Sequence, residues 1–216
     1  MSHPLPRRLV VLLSSVVLSS LSCSVLSMAP PPELPPVSAP APEGVQAPTA
    51  PDPAVAEVRA DLETRRTRTG LIAEEMDVLA EVIVRESRRH GLEPNLVMAV
   101  MYVESRYRNF SVSPVGALGL MQVMPATGEE LARQHDVLWR GPQTLFDPIV
   151  NVRLGTAYLA KLIARYEGDV ATALAAYNWG PGHIDRRLAR GRKLPEEYPG
   201  LVFEAHAIVE VEGRRS

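Results

Sequence analysis

Cysteine is almost absent from this 216-residue chain: Cys23 stands alone, so no disulfide can form within it. An excess of charge is missing too, with 23 Lys and Arg against 25 Asp and Glu and a formal net charge of −2. The basic residues are scattered, and nucleic acid is not an expected partner. Two short basic clusters, at residues 85–89 and 186–193, read as solvated helix faces, with contact to an anionic polymer as the other reading. His3, His90, His135, His183 and His206 are dispersed and form no His-Glu-x-x-His pattern, so metal catalysis has no support. There is no serine or cysteine nucleophile signature. The stretch around Gly116 and Gly119 lacks the Lys-Ser/Thr that a phosphate-cradling loop requires. No cofactor is implied. Sustained period-two alternation is also missing, which removes the usual signal for strands.

What is present begins with export. Arg7 and Arg8 precede an apolar, Ser-diluted run at residues 9–26, the pattern of a secretory signal. Prolines follow the run and argue against a lasting membrane span. Residues 1–27 are expected to be a signal peptide, with a destination outside the cytoplasm. Cys23, in Ser20-Leu21-Ser22-Cys23, resembles a bacterial lipoprotein cleavage box, although that box usually has Leu where Ser20 stands. Two readings stand. Either cleavage occurs before Cys23, whose lipidation attaches the chain to a membrane surface, or cleavage near Ser27 or Ala29 discards it. Residues 28–68 read as a Pro/Ala-rich linker, extended and semi-rigid, followed by a charged and frayed helix.

Residues 69–212 are expected to form one all-α domain of about seven helices, enough for a single core. Met76, Leu79, Val82 and Ile83 share one face of a first helix, with Gly91 as its terminator. Pro94 opens a second helix, apolar on every side over residues 96–103 and therefore expected in the core. Further helices are expected after Pro125, after the Asp147-Pro148 pair, after Asp169, and after Pro181, with a last one at about residues 198–211.

Three pieces carry chemistry. Glu104 ends the apolar helix, where desolvation and the helix C-terminal dipole both disfavour its charge. A carboxyl kept protonated near neutral pH can act as a general acid; on position alone, a surface Glu closing a helix is the competing reading. The second piece is the loop Ser113-Pro-Val-Gly116-Ala-Leu-Gly119-Leu-Met-Gln122-Val-Met-Pro125. Its glycines permit positive φ and a close approach of backbone to ligand. Gln122 offers an amide to sugar hydroxyls, and Met121 and Met124 offer polarizable apolar surface. Packed methionines in a connecting loop are the alternative, for Met121 above all. The third piece is Tyr177-Asn178, read either as a tyrosine that hydrogen-bonds the Glu104 carboxyl or as a helix C-cap and turn. Trp179 reads as a stacking platform for a sugar or as core.

Taken together, Glu104-Ser105, the Gly116 to Pro125 loop and Ala176-Tyr177-Asn178 resemble the soluble lytic transglycosylase family 1 domain, a relative of goose-type lysozyme. Asp147-Pro148, Asn151, Gly155 and Tyr158-Leu159 resemble that family as well. The resemblance implies a lysozyme-like fold and cleavage of the β-1,4 bond between N-acetylmuramic acid and N-acetylglucosamine in peptidoglycan glycan strands. It also implies a place in the periplasm or at the outer membrane of a bacterial envelope. Carried over by position, Glu104 is the single catalytic acid/base. Ser113, Gln122 and Met124 fall among the residues lining the cleft, and Tyr177, with Asn178 beside it, where the family places the tyrosine facing the Glu. Ser105 is assigned structural support. One departure is visible: Leu201 stands where the family often has a cleft-closing Tyr, unless Tyr198 takes that place after a shift.

Most glycosidases need two carboxylates, and the motif blocks hold one. The expected reaction is therefore non-hydrolytic, giving a 1,6-anhydro-muramic acid end, with Glu104 as acid and then base. Three rivals remain. They are a lysozyme-like muramidase with a distal second carboxylate, a peptidoglycan-binding module without chemistry, and a helical interaction protein whose apolar helix is only core.

Overall fold

Proline and aspartate punctuate this chain into helices. The computed structural model describes residues 52–213, with side chains through residue 210. The proposed signal, Cys23 and nearly all of the Pro/Ala-rich linker lie outside the described residues. The elements are α1 (Pro53–Thr64), α2 (Arg66–Thr69), α3 (Ala73–Arg89), α4 (Pro94–Ser105), α5 (Pro125–Gln134), a 3-10 turn (Pro142–Phe146), α6 (Pro148–Arg165), α7 (Val170–Trp179), α8 (Pro181–Leu188) and α9 (Glu197–Gly213). Among the described residues the only β pairing is two isolated bridges, Val112 with Leu118 and Leu118 with Val123. The all-α expectation holds, and α3 to α9 are the seven helices expected after Thr69.

Pro opens α1, α4, α5, α6 and α8, where its missing N–H forfeits no helical hydrogen bond. The carboxylates of Asp52, Asp147 and Asp169 accept from the first free N–H groups of α1, α6 and α7. Each such cap contributes about 1 kcal/mol. Gly91, at φ 66°, turns the chain out of α3.

Helix α4 is the axis of the core. Val97, Met98, Ala99, Val100 and Met101 are each 0% exposed. Five consecutive positions cannot share one face of a helix with 3.6 residues per turn, so α4 must be enclosed on all sides. It is enclosed by α3, α9 and α1. Truncating one of its large side chains to Ala would cost about 2–5 kcal/mol.

One expectation is corrected here. The charged segment before Thr69 is not frayed: α1 packs on α3 and α9, with Val58 and Leu62 in the main core. Three of its four charges are paired, Arg59 with Glu63 and Asp77, and Asp61 with Arg65 just beyond the helix. Two apolar residues at i and i+4 suffice to seat a helix whose other faces are satisfied by ion pairs.

Candidate active site

Glu104 lies in the last turn of α4, and the chain leaves that helix by an abrupt reversal. Arg106 and Tyr107 take φ values of 53° and 62°, two consecutive left-handed residues without a glycine. Each costs an L-residue about 1–2 kcal/mol. The offset is Tyr107, fully buried, 6.0 Å from the Tyr102 ring and with the Arg65 guanidinium 5.1 Å from its own ring centre. Burial of a side chain of that size returns about 1.5–3 kcal/mol.

The reversal brings the loop at residues 109–123 back against the end of α4. The buried Ser105 hydroxyl lies 2.8 Å from the Leu120 carbonyl and 3.1 Å from that of Met101, joining loop to helix. Asn151 of α6 is fully buried and anchors the loop from the other side. Its Nδ2 donates to the Leu118 and Leu145 carbonyls at 2.9 and 2.8 Å, and its Oδ1 accepts from the Met121 N–H at 2.8 Å. A Cβ at Gly119 would fall 2.2 Å from Asn151 Nδ2 and 2.5 Å from the Leu145 carbonyl oxygen, on a backbone at φ 79°. The close approach this glycine permits is therefore to protein, not to a ligand. Gly155 makes room in the same way for Met121, whose sulfur would lie 2.5 Å from an added Cβ.

The loop residues expected to meet a sugar are partly committed within the loop. Gln122 takes φ 48°, and its amide nitrogen donates to the carbonyls of Gly119 (2.8 Å) and Ser111 (3.1 Å). The Ser113 hydroxyl accepts from the Ala117 N–H at 2.9 Å. Met121 is core, as its alternative reading held, while Met124 caps α5 and is 42% exposed.

Tyr177 differs from expectation. Its hydroxyl donates to the Met121 carbonyl at 2.8 Å, not to Glu104, and its ring lies 5.4 Å from that of Tyr158. Nor is Asn178 a left-handed cap: α7 continues to Trp179, and Gly180 makes the exit at φ 79°. Asn178 and Trp179 are exposed on that last turn, so Trp179 is not core.

The partner of Glu104 comes from α9. The Tyr198 hydroxyl donates to Glu104 Oε1 at 2.5 Å, with Tyr198 itself buried. Leu201 is 47% exposed, so Tyr198, by the one-turn shift left open in the sequence, supplies the aromatic at the carboxyl. Burial pushes the Glu104 carboxyl up to about 7 from an ordinary 4.5, against the Tyr198 hydrogen bond, which favours the ionised form. A tyrosine donor thus holds the carboxyl in place but does not keep it protonated; desolvation does that. No second carboxylate among the described residues contributes to this shift. The Tyr177 and Tyr198 hydroxyls are both raised well above their usual range by burial first and the Glu104 charge second, so each remains a donor.

Asn151 was quoted in the sequence only as part of a resemblance, and its anchoring role was missed. The signal was available: an uncharged polar Asn among Ile149, Val150, Val152 and Leu154, with Arg153 the one charged residue of that stretch.

Residues 81–198 match the family model described as the transglycosylase SLT domain. The chain is 34% identical over 139 residues to the membrane-bound lytic murein transglycosylase C of Edwardsiella ictaluri, covering 58% of this chain and 39% of that protein. It is 34% identical over 105 residues to the soluble lytic murein transglycosylase of Salmonella typhimurium, 48% of this chain and 16% of that one. With the transglycosylase of Enterobacteria phage PRD1 it shares 38% over 124 residues, 57% and 41% of the two chains. It thus spans less than half the length of each of these relatives. Among solved structures, an inactive mutant of the lytic transglycosylase Slt from Pseudomonas aeruginosa is similar with a TM-score of 0.50 and 32% identity, over 62% of this chain and 24% of that one. The 70 kDa soluble lytic transglycosylase of Escherichia coli shares the fold, with a TM-score of 0.51 at 22% identity over 74% of this chain and 28% of that one.

Proposed function

From the premise that the chain belongs to the transglycosylase SLT domain family, we propose that it is a peptidoglycan lytic transglycosylase in which Glu104 is the acid and then the base. It acts on the β-1,4 bond between N-acetylmuramic acid and N-acetylglucosamine. The observation that carries this reading is a single half-buried carboxyl raised to about 7 and held at one oxygen by Tyr198.

Its other oxygen is left for proton transfer. Protonated Glu104 gives its proton to the glycosidic oxygen as the bond from that oxygen to C1 breaks. The carbonyl oxygen of the 2-acetamido group closes on C1 and takes up the developing positive charge, which replaces the missing second carboxylate. The Glu104 carboxylate then removes the proton of the sugar's own 6-hydroxyl. That oxygen attacks C1, the acetamido group is released, and Glu104 is protonated again. No water is consumed, and the product ends in a 1,6-anhydro ring.

Substrate contact falls to Met124 and Asn178, which are exposed, to the carbonyl of Gln122, and to Ser113, whose hydroxyl proton remains free to donate. Tyr177 supports the site by holding the Met121 carbonyl. The place of action this reading implies is the bacterial envelope, with residues 1–27 as export signal and Cys23 as the candidate lipidation site. A lysozyme-like muramidase is the second reading, favoured only if a water-derived product appears.

Mass spectrometry of fragments released from purified peptidoglycan tests the proposal. Anhydro-muramic ends from the wild type and none from Glu104→Gln are expected. Reducing-end muramic acid would make the chain a hydrolase, and retention on the polymer without release would make it a binding module.

A further inference from the structure

Two histidines close the C-terminal ends of two helices, His90 on α3 and His135 on α5. Their rings meet edge to face, with centres 6.0 Å apart. Neither takes part in the reaction proposed above. The polar groups around them are incompletely matched. Glu86, one turn before His90 on α3, is 2% exposed. Its Oε1 accepts from Arg85 at 3.1 Å, while its Oε2 lies 3.6 Å from Arg89 and makes no hydrogen bond among the described residues. His90 Nε2 and Arg153 Nε are buried and likewise lack a hydrogen-bond partner there. Arg153, on α6, donates its Nη2 to the His135 carbonyl at 2.5 Å.

This arrangement suits neutral rings and not charged ones. In an imidazolium both ring nitrogens carry protons, and the one on His90 Nε2 would meet no acceptor. Each charged ring would also face the other. Arg89 of α3 and Arg153 of α6 add to the repulsion, and Glu86 and Asp136 oppose it. Burial is the leading cause in each case and lowers both imidazoles below the usual histidine range. A group whose pKa falls on folding contributes stability that is complete above its unfolded value of 6.5 and is lost as pH drops through the folded value. The sign is opposite to that of Glu104.

The helix held by this contact borders the candidate active site. Helix α5 starts at Pro125, directly after Met124, and buries Gly128, Leu131 and Ala132. A Cβ added at Gly128 would lie 3.2 Å from the Trp139 ring, so that indole rests against α5. Trp139 and Trp179 are the two tryptophans of the chain.

We propose that the His90–His135 contact is an acid-sensitive latch, closed while both rings are neutral and released when they take up protons, freeing the C-terminal end of α5 from α3. Release loosens the helix that follows Met124. It thereby gives the reaction an acid limb that Glu104, which must be protonated to start, does not supply; that consequence rests on the function proposed above.

The test uses the full chain carrying Glu104→Gln, which removes the opposing titration, and Trp179→Phe, which leaves Trp139 as the only tryptophan. Histidine ring signals in proton NMR and Trp139 emission are followed from pH 7.5 to 5. Both rings should titrate below 6.5, and the emission should change over the same range. The unfolding constant in urea should rise by up to about tenfold per pH unit for each ring. His135→Phe keeps an aromatic edge without a charge; it should raise the His90 midpoint and abolish the emission change, which a merely packed pair would not do. His90→Phe is the second variant should the first fail to fold, with the same loss expected. Emission constant over this range, rings titrating at or above 6.5, or a transition that survives both variants overturns the latch. In the otherwise unaltered chain, kcat/KM should fall on the acid side, and His135→Phe should remove that fall. Activity level to pH 5 while the latch opens overturns its link to the site. The latch transition in a chain that cleaves nothing would support the device while sinking the proposed reaction.

Discussion

The loop at residues 109–123 and helix α9 both reach the end of α4, and they are built by opposite means. The loop is tied down at many points: Asn151 makes three hydrogen bonds to the site backbone, Ser105 and Tyr177 each hold a loop carbonyl, and Gln122 and Ser113 bind within the loop itself. Helix α9 meets Glu104 through one hydroxyl, that of Tyr198. The region dense in motif residues is thus largely a scaffold, and the region with little motif supplies the side chain bonded to Glu104. A residue type expected to touch substrate can be required instead to hold the backbone of the loop.

That division of labour can be broken at either side. The largest effect is expected at the carboxyl they share. Glu104→Gln should lower product release by about 10³-fold, within the range for loss of a general acid, with helical circular dichroism unchanged. On the scaffold side, Asn151→Ala leaves two carbonyls and one N–H without their partner and should destabilise the fold by about 3 kcal/mol in urea unfolding. Gly119→Ala should act in the same direction, since its Cβ would meet Asn151 and the Leu145 carbonyl.

A comparable energy resides in the titration of Glu104. Its carboxyl rises from 4.5 to about 7 on folding, a shift worth about 3 kcal/mol. Between those values the unfolded chain has released its proton and the folded chain retains it, so this group's contribution to stability falls as pH rises. Below that window there is no penalty; above it the full penalty applies. Glu104→Gln removes the slope, so its stability relative to wild type should increase from pH 4 to pH 8, as read by denaturant unfolding at both.

Smaller effects sharpen the contrast between the two tyrosines. Tyr198→Phe removes a donor that favours the carboxylate. It should therefore raise the Glu104 pKa, move the alkaline fall of kcat/KM to higher pH, and cost about tenfold in activity, the size of one charge-assisted hydrogen bond. Tyr177→Phe should instead cost about 1 kcal/mol of stability by orphaning the Met121 carbonyl, with the pH profile nearly in place. Leu201→Ala, on an exposed position, should change stability by less than about 0.5 kcal/mol. Interchanged effects at Tyr177 and Tyr198 would reverse the comparison.

The sequence showed the helices where Pro and Asp mark their starts and where an apolar face is long, as in α3 and α4. It showed α1 only as a frayed helix and hid its packing, because its buried residues are few and its charges read as solvation until their partners on other turns are known. Glu104 was legible from the conflict between a charged residue and an apolar helix end. Tyr198 was legible only as an alternative to Leu201, since a helical phase one turn off cannot be settled without knowing which face of α9 meets α4. The bond of Tyr177 was not legible at all, and a lone Asn on a largely apolar helix end signalled that Asn151 is anchored without showing to what. Hydrogen bonds from a side chain to a distant carbonyl leave no periodic trace in sequence.

The most direct measurement is a titration of the Glu104 carboxyl by carbon NMR, on protein carrying labelled glutamate and assigned against Glu104→Gln. The account predicts a midpoint near 7, moving higher in Tyr198→Phe. A midpoint near the ordinary glutamate value, unmoved by that substitution, would contradict both the desolvated acid and the role of α9.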